Sequence, residues 1–213
     1  ACNPFVNDTH LVTMEKVLAC DLITIHVPYS IEGAYPTSDL LNQSHSRFLK
    51  NKILINTSRG GVVCEKLVTE SNDIIYVADV WLDEPIPSIA TVKKAFISTP
   101  HIAGYSLEGK LNGSTMIAKE CARAFNCLQE TSLPEDHLID WPHGLKNIIR
   151  DMHGHGFPVS IFKSELDLQG LSDNFKNISP SKLADKFKSL RINHLPRHDF
   201  NKYSYKNLVA LDE

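Results

Sequence analysis

Four short apolar runs separate polar and amphipathic stretches in the first half of the chain. They lie at residues 22–27, 52–56, 74–80 and 95–97. The runs are nearly continuous rather than alternating, which is typical of strands buried on both faces of a parallel sheet. Because the stretches between them favour helices, the order predicts an α/β fold in which right-handed crossovers join parallel strands.

The amphipathic stretches predict the helices between these strands. Apolar positions at helical spacing favour one helix over residues 11–19 and another over residues 62–69. Ser44 or Ser46 is expected to cap the turn before the second strand. Ser106 begins a capping pattern, from which we predict one long crossover helix that ends near residue 128.

The organisation of the chain changes after this long helix. From residue 145 the chain is richer in Gly, Pro, Lys and His and has no βα rhythm. We therefore predict a partial doubly wound parallel (Rossmann-like) sheet over residues 1–130 and a smaller C-terminal α+β domain over residues 131–213. Within the second domain, residues 158–162 favour a strand and residues 181–191 favour a helix.

Charge and cysteine usage narrow the class of protein. The formal net charge is -3, so no basic field indicates nucleic acid or an anionic membrane as a partner. The five cysteines form no CxxC spacing, which favours reduced thiols in a cytoplasmic protein. No apolar run approaches the ~20 residues of a membrane span. His153 and His155 have no supporting cluster of Cys or carboxylate ligands, so we expect no metal site.

Three charged residues each follow a predicted strand. Arg59 follows the second strand, Glu84 the third and His101 the fourth. In an open parallel sheet, ligands bind beyond the carboxyl ends of the strands, so these side chains are expected to share one site. A histidine alone at such a place is more often a structural residue, but the three units together favour chemistry.

The three residue types suit the oxidation of a hydroxyl group beside a carboxylate. A neutral His101 can take the hydroxyl proton, and Glu84 fixes its tautomer and favours the imidazolium. Arg59 offers a planar fork of donors for the carboxylate. No side chain can accept a hydride, so a nicotinamide cofactor on a doubly wound sheet is the natural complement.

Motifs in the same regions resemble signatures of the D-2-hydroxyacid dehydrogenases. They are the run of residues 55–63 (INTSRGGVV), the run of residues 79–85 (DVWLDEP) and the run of residues 99–104 (TPHIAG), which stand in the order found in that family. The longer run of residues 101–110 and the C-terminal segment are similar to a member of the family that serves vitamin B6 synthesis and has a C-terminal dimerisation domain. The resemblance implies a homodimer that uses NAD and acts on a small phosphorylated hydroxy acid.

The resemblance also implies roles for single residues. His101 would be the acid/base, Glu84 its partner and Arg59 the substrate clamp, with Tyr105 also contacting the substrate. The residues implied to contact the cofactor are Asn3, Val27, Thr57, Ser58, Arg59, Asp79 and Gly104. Simpler alternatives stay open for three of these positions, because Asp79 can merely cap or pair with a neighbour, Tyr105 can face the core and Gly104 can be a plain turn glycine.

The chain departs from the family pattern in its first residues. It contains no GxGxxG phosphate loop, and Asn3 stands where the family has an acidic residue. No Lys or Arg lies beside Asn3, which favours NAD over NADP. Val27 replaces a polar contact. We therefore expect a piece of a longer protein, and two alternatives stay open: a dehydrogenase of the glycerate or phosphoglycerate type, or an inactive dinucleotide-binding or dimerising module.

Overall fold

A four-stranded parallel sheet organises the first of two units of the chain. The computed structural model describes residues 1–5, 11–126 and 166–194. The first unit comprises Ala1–Ala103 and Leu168–Asn193, and the second comprises Gly104–Asp167 and His194–Glu213. Each unit is described by itself.

The sheet follows the chain order of its strands. These are β1 (Leu22–Ile25), β2 (Lys52–Asn56), β3 (Ile74–Ala78) and β4 (Ile97–Ser98), and every neighbouring pair is parallel. Leu54 in β2 pairs with Ile23 on one side and Tyr76 on the other, and all three side chains are buried. The prediction of an α/β fold with a parallel, Rossmann-like sheet is confirmed.

Short helices join the strands of the first unit. They are α1 (Met14–Leu18), a 3-10 helix (Gln43–Phe48), α2 (Glu65–Glu70) and α3 (Ile89–Lys94). Helix α3 was not predicted, and Ser88 caps it by accepting a hydrogen bond from the amide of Thr91 at 3.3 Å. Because Ala95 ends this helix, the fourth strand is Ile97–Ser98 rather than residues 95–97.

Three predictions of helix starts were wrong by a few residues, and the first concerns α1, which begins at Met14 rather than residue 11. The cap of the 3-10 helix is Asn42 rather than a serine, because its side chain accepts from the amide of Ser44 at 3.1 Å. Helix α2 begins at Glu65 instead of residue 62 because Val63 is still extended and forms a parallel bridge with Leu41.

Two C-terminal helices pack in the first unit, and the first of them covers the outer edge of β4. They are α5 (Leu168–Lys176) and α6 (Leu183–Ile192). The amide of Ser98 donates to the hydroxyl of Ser172 at 3.0 Å, and the ammonium of Lys176 donates to the carbonyl of Phe96 at 2.9 Å. Side chains of α5 thus form hydrogen bonds with backbone groups at the edge of the sheet, to which another strand could otherwise bind.

The helices α5 and α6 therefore pack in the first unit, although the sequence analysis placed residues 181–191 in a C-terminal domain. The predicted boundary at residue 130 itself stays a prediction, because residues 127–165 lie outside the described ranges. The predicted strand at residues 158–162 lies there too, as do His153 and His155.

Helix α4 (Leu107–Ala124) belongs to the second unit. Ser106 caps it, since its hydroxyl accepts from the amide of Gly109 at 2.9 Å, and the predicted start of the long helix is confirmed. The predicted end near residue 128 lies outside the described ranges. Among the described helices, none has the length and apolar character needed to cross a bilayer.

The packing of α6 against the sheet unit generates a stability prediction. Phe187 is 0% exposed in the core, so we expect Phe187→Ala to lower the free energy of unfolding by about 3–5 kcal/mol. Phe96→Ala removes a ring that is 63% exposed in the same unit and should cost less than about 0.5 kcal/mol. Urea denaturation followed by circular dichroism measures both. Equal effects of the two substitutions would contradict the placement of α6 in this core.

Candidate active site

An imidazole and a carboxylate form a close pair beyond the carboxyl ends of β3 and β4. His101 Nδ1 lies 2.7 Å from Glu84 Oε2, and the side chains are 32% and 20% exposed. An ionised carboxylate only accepts hydrogen bonds, so Nδ1 carries the proton in this pair. The other ring nitrogen, Nε2, is then the free acceptor of the neutral ring and can take a proton from a bound molecule.

The backbone of His101 is held in a conformation that is uncommon for a residue with a side chain. Its φ is 58°, in the left-handed region. Residues on both sides of it bind one carboxylate, that of Asp79. Oδ1 accepts from the hydroxyl of Thr99 at 2.6 Å and from the amide of Ile102 at 2.8 Å, and Oδ2 accepts from the amide of Ala103 at 2.8 Å. These three bonds fix the turn that presents the imidazole.

Asp79 follows β3 directly and is 3% exposed. Burial raises the pKa of its carboxyl, and the donors from Thr99, Ile102 and Ala103 lower that pKa in part, as does the nearby His101. Both carboxylate oxygens are engaged by the protein's own donors. The position matches the simpler alternative, a residue that pairs with a neighbouring loop, and its predicted contact with the cofactor stays a prediction.

Trp81 connects the carboxylate of the pair to the segment that precedes the imidazole. Its backbone amide donates to Glu84 Oε1 at 2.9 Å, and its indole N–H donates to the carbonyl of Thr99 at 2.8 Å. Each oxygen of Glu84 therefore has its own donor, one from Trp81 and one from His101. This arrangement orients Oε2 towards the ring before any ligand binds.

Asn56, the last residue of β2, organises the turn that carries Arg59. Its Oδ1 accepts from the amide and the hydroxyl of Ser58 at 3.1 and 3.0 Å, and its Nδ2 donates to the carbonyl of Arg59 at 3.0 Å. The next residue is Gly60, where a Cβ atom would overlap the carbonyl of Trp81. The turn after β2 therefore packs tightly against the loop that holds Glu84.

The guanidinium of Arg59 is exposed and donates to the carbonyl of Ser58 at 2.7 Å. Within the described ranges, no hydrogen bond or ion pair joins Arg59 to His101 or Glu84. The structure thus brings together the imidazole and the carboxylate of the predicted trio and leaves the guanidinium on the neighbouring turn. The role of Arg59 as a substrate clamp stays a prediction.

The remaining predicted contacts are distributed over both units. Thr57 is exposed and Ser58 is half-buried beside Arg59, whereas Val27 is half-buried and packs against the core. Asn3 is exposed, and its side chain accepts from the amide of Phe5 at 3.0 Å. Gly104 and Tyr105 belong to the second unit. The roles predicted for all of these residues stay predictions.

The sequence analysis did not single out Asn56 or Trp81, although both hold the loops of this site. A polar residue at the end of an otherwise apolar strand was a usable signal for Asn56. The tryptophan lies between Asp79 and Glu84 in one motif, but nothing in its spacing indicates where its N–H groups point. Among the described residues, no group of three or more His, Cys, Asp or Glu side chains is arranged to hold a metal ion.

A family model covers the residues from which this site is built. The family model described as D-isomer specific 2-hydroxyacid dehydrogenase, NAD binding domain, matches residues 4–103. NAD is accordingly the cofactor of this domain, as the sequence analysis expects.

Several curated relatives have one name in common. The erythronate-4-phosphate dehydrogenase of Cellvibrio japonicus (strain Ueda107) is 30% identical over 214 residues, which cover 92% of this chain and 54% of the relative. That of Azotobacter vinelandii (strain DJ / ATCC BAA-1303) is 40% identical over 126 residues, covering 57% of this chain and 32% of the relative. The chain spans about half the length of these relatives at most.

Among solved structures, an NAD-dependent formate dehydrogenase from Staphylococcus aureus in complex with NAD is 26% identical, with a TM-score of 0.45. The match covers 56% of this chain and 38% of that chain.

The burial of Asp79 generates a prediction for the pH dependence of stability. Because its pKa is raised above the ordinary 3.8 on folding, the native state keeps this proton at pH values where the unfolded chain has lost it. The contribution of Asp79 to stability therefore falls as the pH rises from that value through the folded pKa. Asn cannot ionise and offers one acceptor oxygen, so Asp79→Asn should cost about 1–3 kcal/mol at acid pH, and the cost should shrink as the pH rises.

Urea unfolding of both proteins at about pH 4 and about pH 7 measures this difference. The exposed Asp21 provides the matched control, since Asp21→Asn should change stability by less than about 0.5 kcal/mol at either pH. A cost of Asp79→Asn that grows with pH would reverse the sign argued for the buried carboxyl.

Proposed function

Because residues 4–103 match the family model described as D-isomer specific 2-hydroxyacid dehydrogenase, NAD binding domain, we propose that the protein oxidises a small phosphorylated 2-hydroxy acid with NAD. The specific substrate of this proposal is 4-phospho-D-erythronate, and the product is 2-oxo-3-hydroxy-4-phosphobutanoate, in vitamin B6 synthesis. The names of the relatives support this choice. A cytoplasmic homodimer is part of the same proposal.

The observation that carries the proposal is the 2.7 Å contact between His101 Nδ1 and Glu84 Oε2. Within the described ranges Nε2 has no hydrogen-bond partner, and the side chain is 32% exposed. Nε2 would take the proton of the substrate's 2-hydroxyl while Glu84 stabilises the imidazolium that forms. When bound, NAD supplies the hydride acceptor that the side chains lack.

The groups at the end of β2 fit the cofactor and the substrate in their chemistry. Thr57 and Ser58 present hydroxyl groups that would bind the nicotinamide side of NAD. The exposed guanidinium of Arg59 would leave its Ser58 partner to bind the substrate carboxylate with two donors. Both carboxylate oxygens of Asp79 already accept hydrogen bonds. Its proposed contact with the nicotinamide carboxamide would use an oxygen lone pair that these donors leave unoccupied. Asn3, Val27, Gly104 and Tyr105 complete the proposed contacts.

A second candidate is an inactive dinucleotide-binding or dimerising module. The observation that favours it is the uncharged Asn3 at the position of an acidic residue. Titration of the chain with NADH, followed by cofactor fluorescence, tests binding, and a turnover assay on the same protein then separates the two candidates. Binding without turnover would support the module.

Replacement of His101 tests the chemistry directly. We expect His101→Gln to lower kcat by about 10²–10⁴-fold with little change in NADH binding, because glutamine keeps a polar side chain but cannot take the proton. The measurement is NADH formation from 4-phospho-D-erythronate. His45→Gln is the matched control, because His45 completes the capping box of the 3-10 helix and glutamine suits that position. Near-normal turnover of His101→Gln would remove this residue from the reaction.

A panel of 2-hydroxy acids tests the substrate. We expect 4-phospho-D-erythronate to have the highest kcat/KM, with glycerate and phosphoglycerate well below it. A preference for either of these would retain the dehydrogenase and replace the proposed substrate.

A further inference from the structure

We propose that Trp81, seated on Phe175 of helix α5, is a positioning residue for the His101–Glu84 pair. The proposal rests on the proposed function, since it concerns the acid/base couple of that reaction. Helix α5 would then help to fix the geometry of a site formed by residues 79–103.

Trp81 reaches both members of the pair through hydrogen bonds. Its amide donates to Glu84 Oε1 at 2.9 Å, which leaves Oε2 for His101. Its indole N–H donates to the carbonyl of Thr99 at 2.8 Å, two residues before the imidazole. Trp81 is 4% exposed and Thr99 is 5% exposed. Loss of the indole donor would leave a buried carbonyl without this partner, and the segment that leads to His101 would relax.

The indole of Trp81 is held in place by packing against Phe175. Its ring lies 5.7 Å from that of Phe175, at an interplanar angle of 58°. Phe175 in turn lies 5.7 Å from Phe187 of α6 at 57°, and both phenylalanines are almost fully buried. Phe175 therefore contacts both other rings, at distances typical of aromatic pairs.

Helix α5 has a second attachment beside the site, through Ser172. Ser172 accepts from the amide of Ser98, the residue next to Thr99, and both serines are 0% exposed. Helix α5 therefore holds the end of β4 by a hydrogen bond and Trp81 by a ring contact. These two attachments act on Ser98 and, through Trp81, on Thr99, the residues that lead into His101.

The readout that separates positioning from simple packing is the state of the imidazole itself. Two-bond proton–nitrogen NMR spectra of the chain report which ring nitrogen of His101 carries the proton. We expect the Nδ1–H form in the wild type, because Glu84 accepts from Nδ1. Trp81→Phe retains the backbone amide and an aromatic ring but removes the indole donor, and it should yield a mixture of the two tautomers.

Kinetics provides the second readout. We expect Trp81→Phe to lower kcat by about 10- to 100-fold and to leave the KM values for the hydroxy acid and NAD nearly unchanged, because the buried indole does not contact either molecule. Phe175→Leu should act in the same direction, since it removes the ring on which the indole is seated.

Leu67→Ala is the matched control. It removes a side chain that is 1% exposed from helix α2, so it should lower stability at least as much as Phe175→Leu while His101 keeps the Nδ1–H form and kcat is retained. An unchanged tautomer in Trp81→Phe, or an equal change of tautomer and kcat in Phe175→Leu and Leu67→Ala, would overturn the proposal.

The two proposals fail in distinguishable ways. If the wild-type protein forms no NADH from any 2-hydroxy acid, the proposed function fails, while the NMR comparison still decides whether Trp81 orients the pair. If turnover is normal and the tautomer is insensitive to Trp81, the function stands and the positioning role is rejected.

Discussion

The site depends on one buried carboxylate that gathers three donors from a later loop. Removing the charge of Asp79 from water is costly, and the bonds from Thr99, Ile102 and Ala103 offset that cost. These bonds fix the turn on both sides of His101, whose left-handed backbone would otherwise be unfavourable. The imidazole is therefore held in place before any ligand binds, which would reduce the reorganisation needed for the proposed proton transfer.

Strand ends alone would place these groups only within a few ångströms of one another, and the loops achieve the final arrangement. Asn56 closes the turn after β2, and Gly60 lets that turn approach the carbonyl of Trp81. Trp81 then joins the loop after β3 to the segment after β4. Each of the three loops thus limits the freedom of the next. Arg59 is the exception, because among the described residues its exposed guanidinium bonds only to its own turn, which would let it rotate towards a ligand.

The sequence was informative where a single physical rule dominates. Nearly continuous apolar runs predicted the parallel strands, because a strand covered on both faces has no polar side to show. The adjacency of charged residues to strand ends predicted the pair of Glu84 and His101. Helix α3 was missed because its six residues follow Pro85 and Pro87 and are too short for a periodic pattern. The placement of α5 and the partners that Asp79 binds were not predicted, because both involve residues far along the chain, which local patterns do not encode.

The pairing of Ser98 with Ser172 has a consequence for chains shortened from the C-terminus. Strand β4 is the last strand of the sheet, and α5 supplies the groups that occupy its outer edge. A product cut before residue 168 would uncover that edge together with the buried face of Trp81. Backbone groups and apolar surface exposed side by side are a template for edge-to-edge association between copies. Helix α5 therefore also protects the domain against aggregation. Its loss would first lead to aggregation during synthesis.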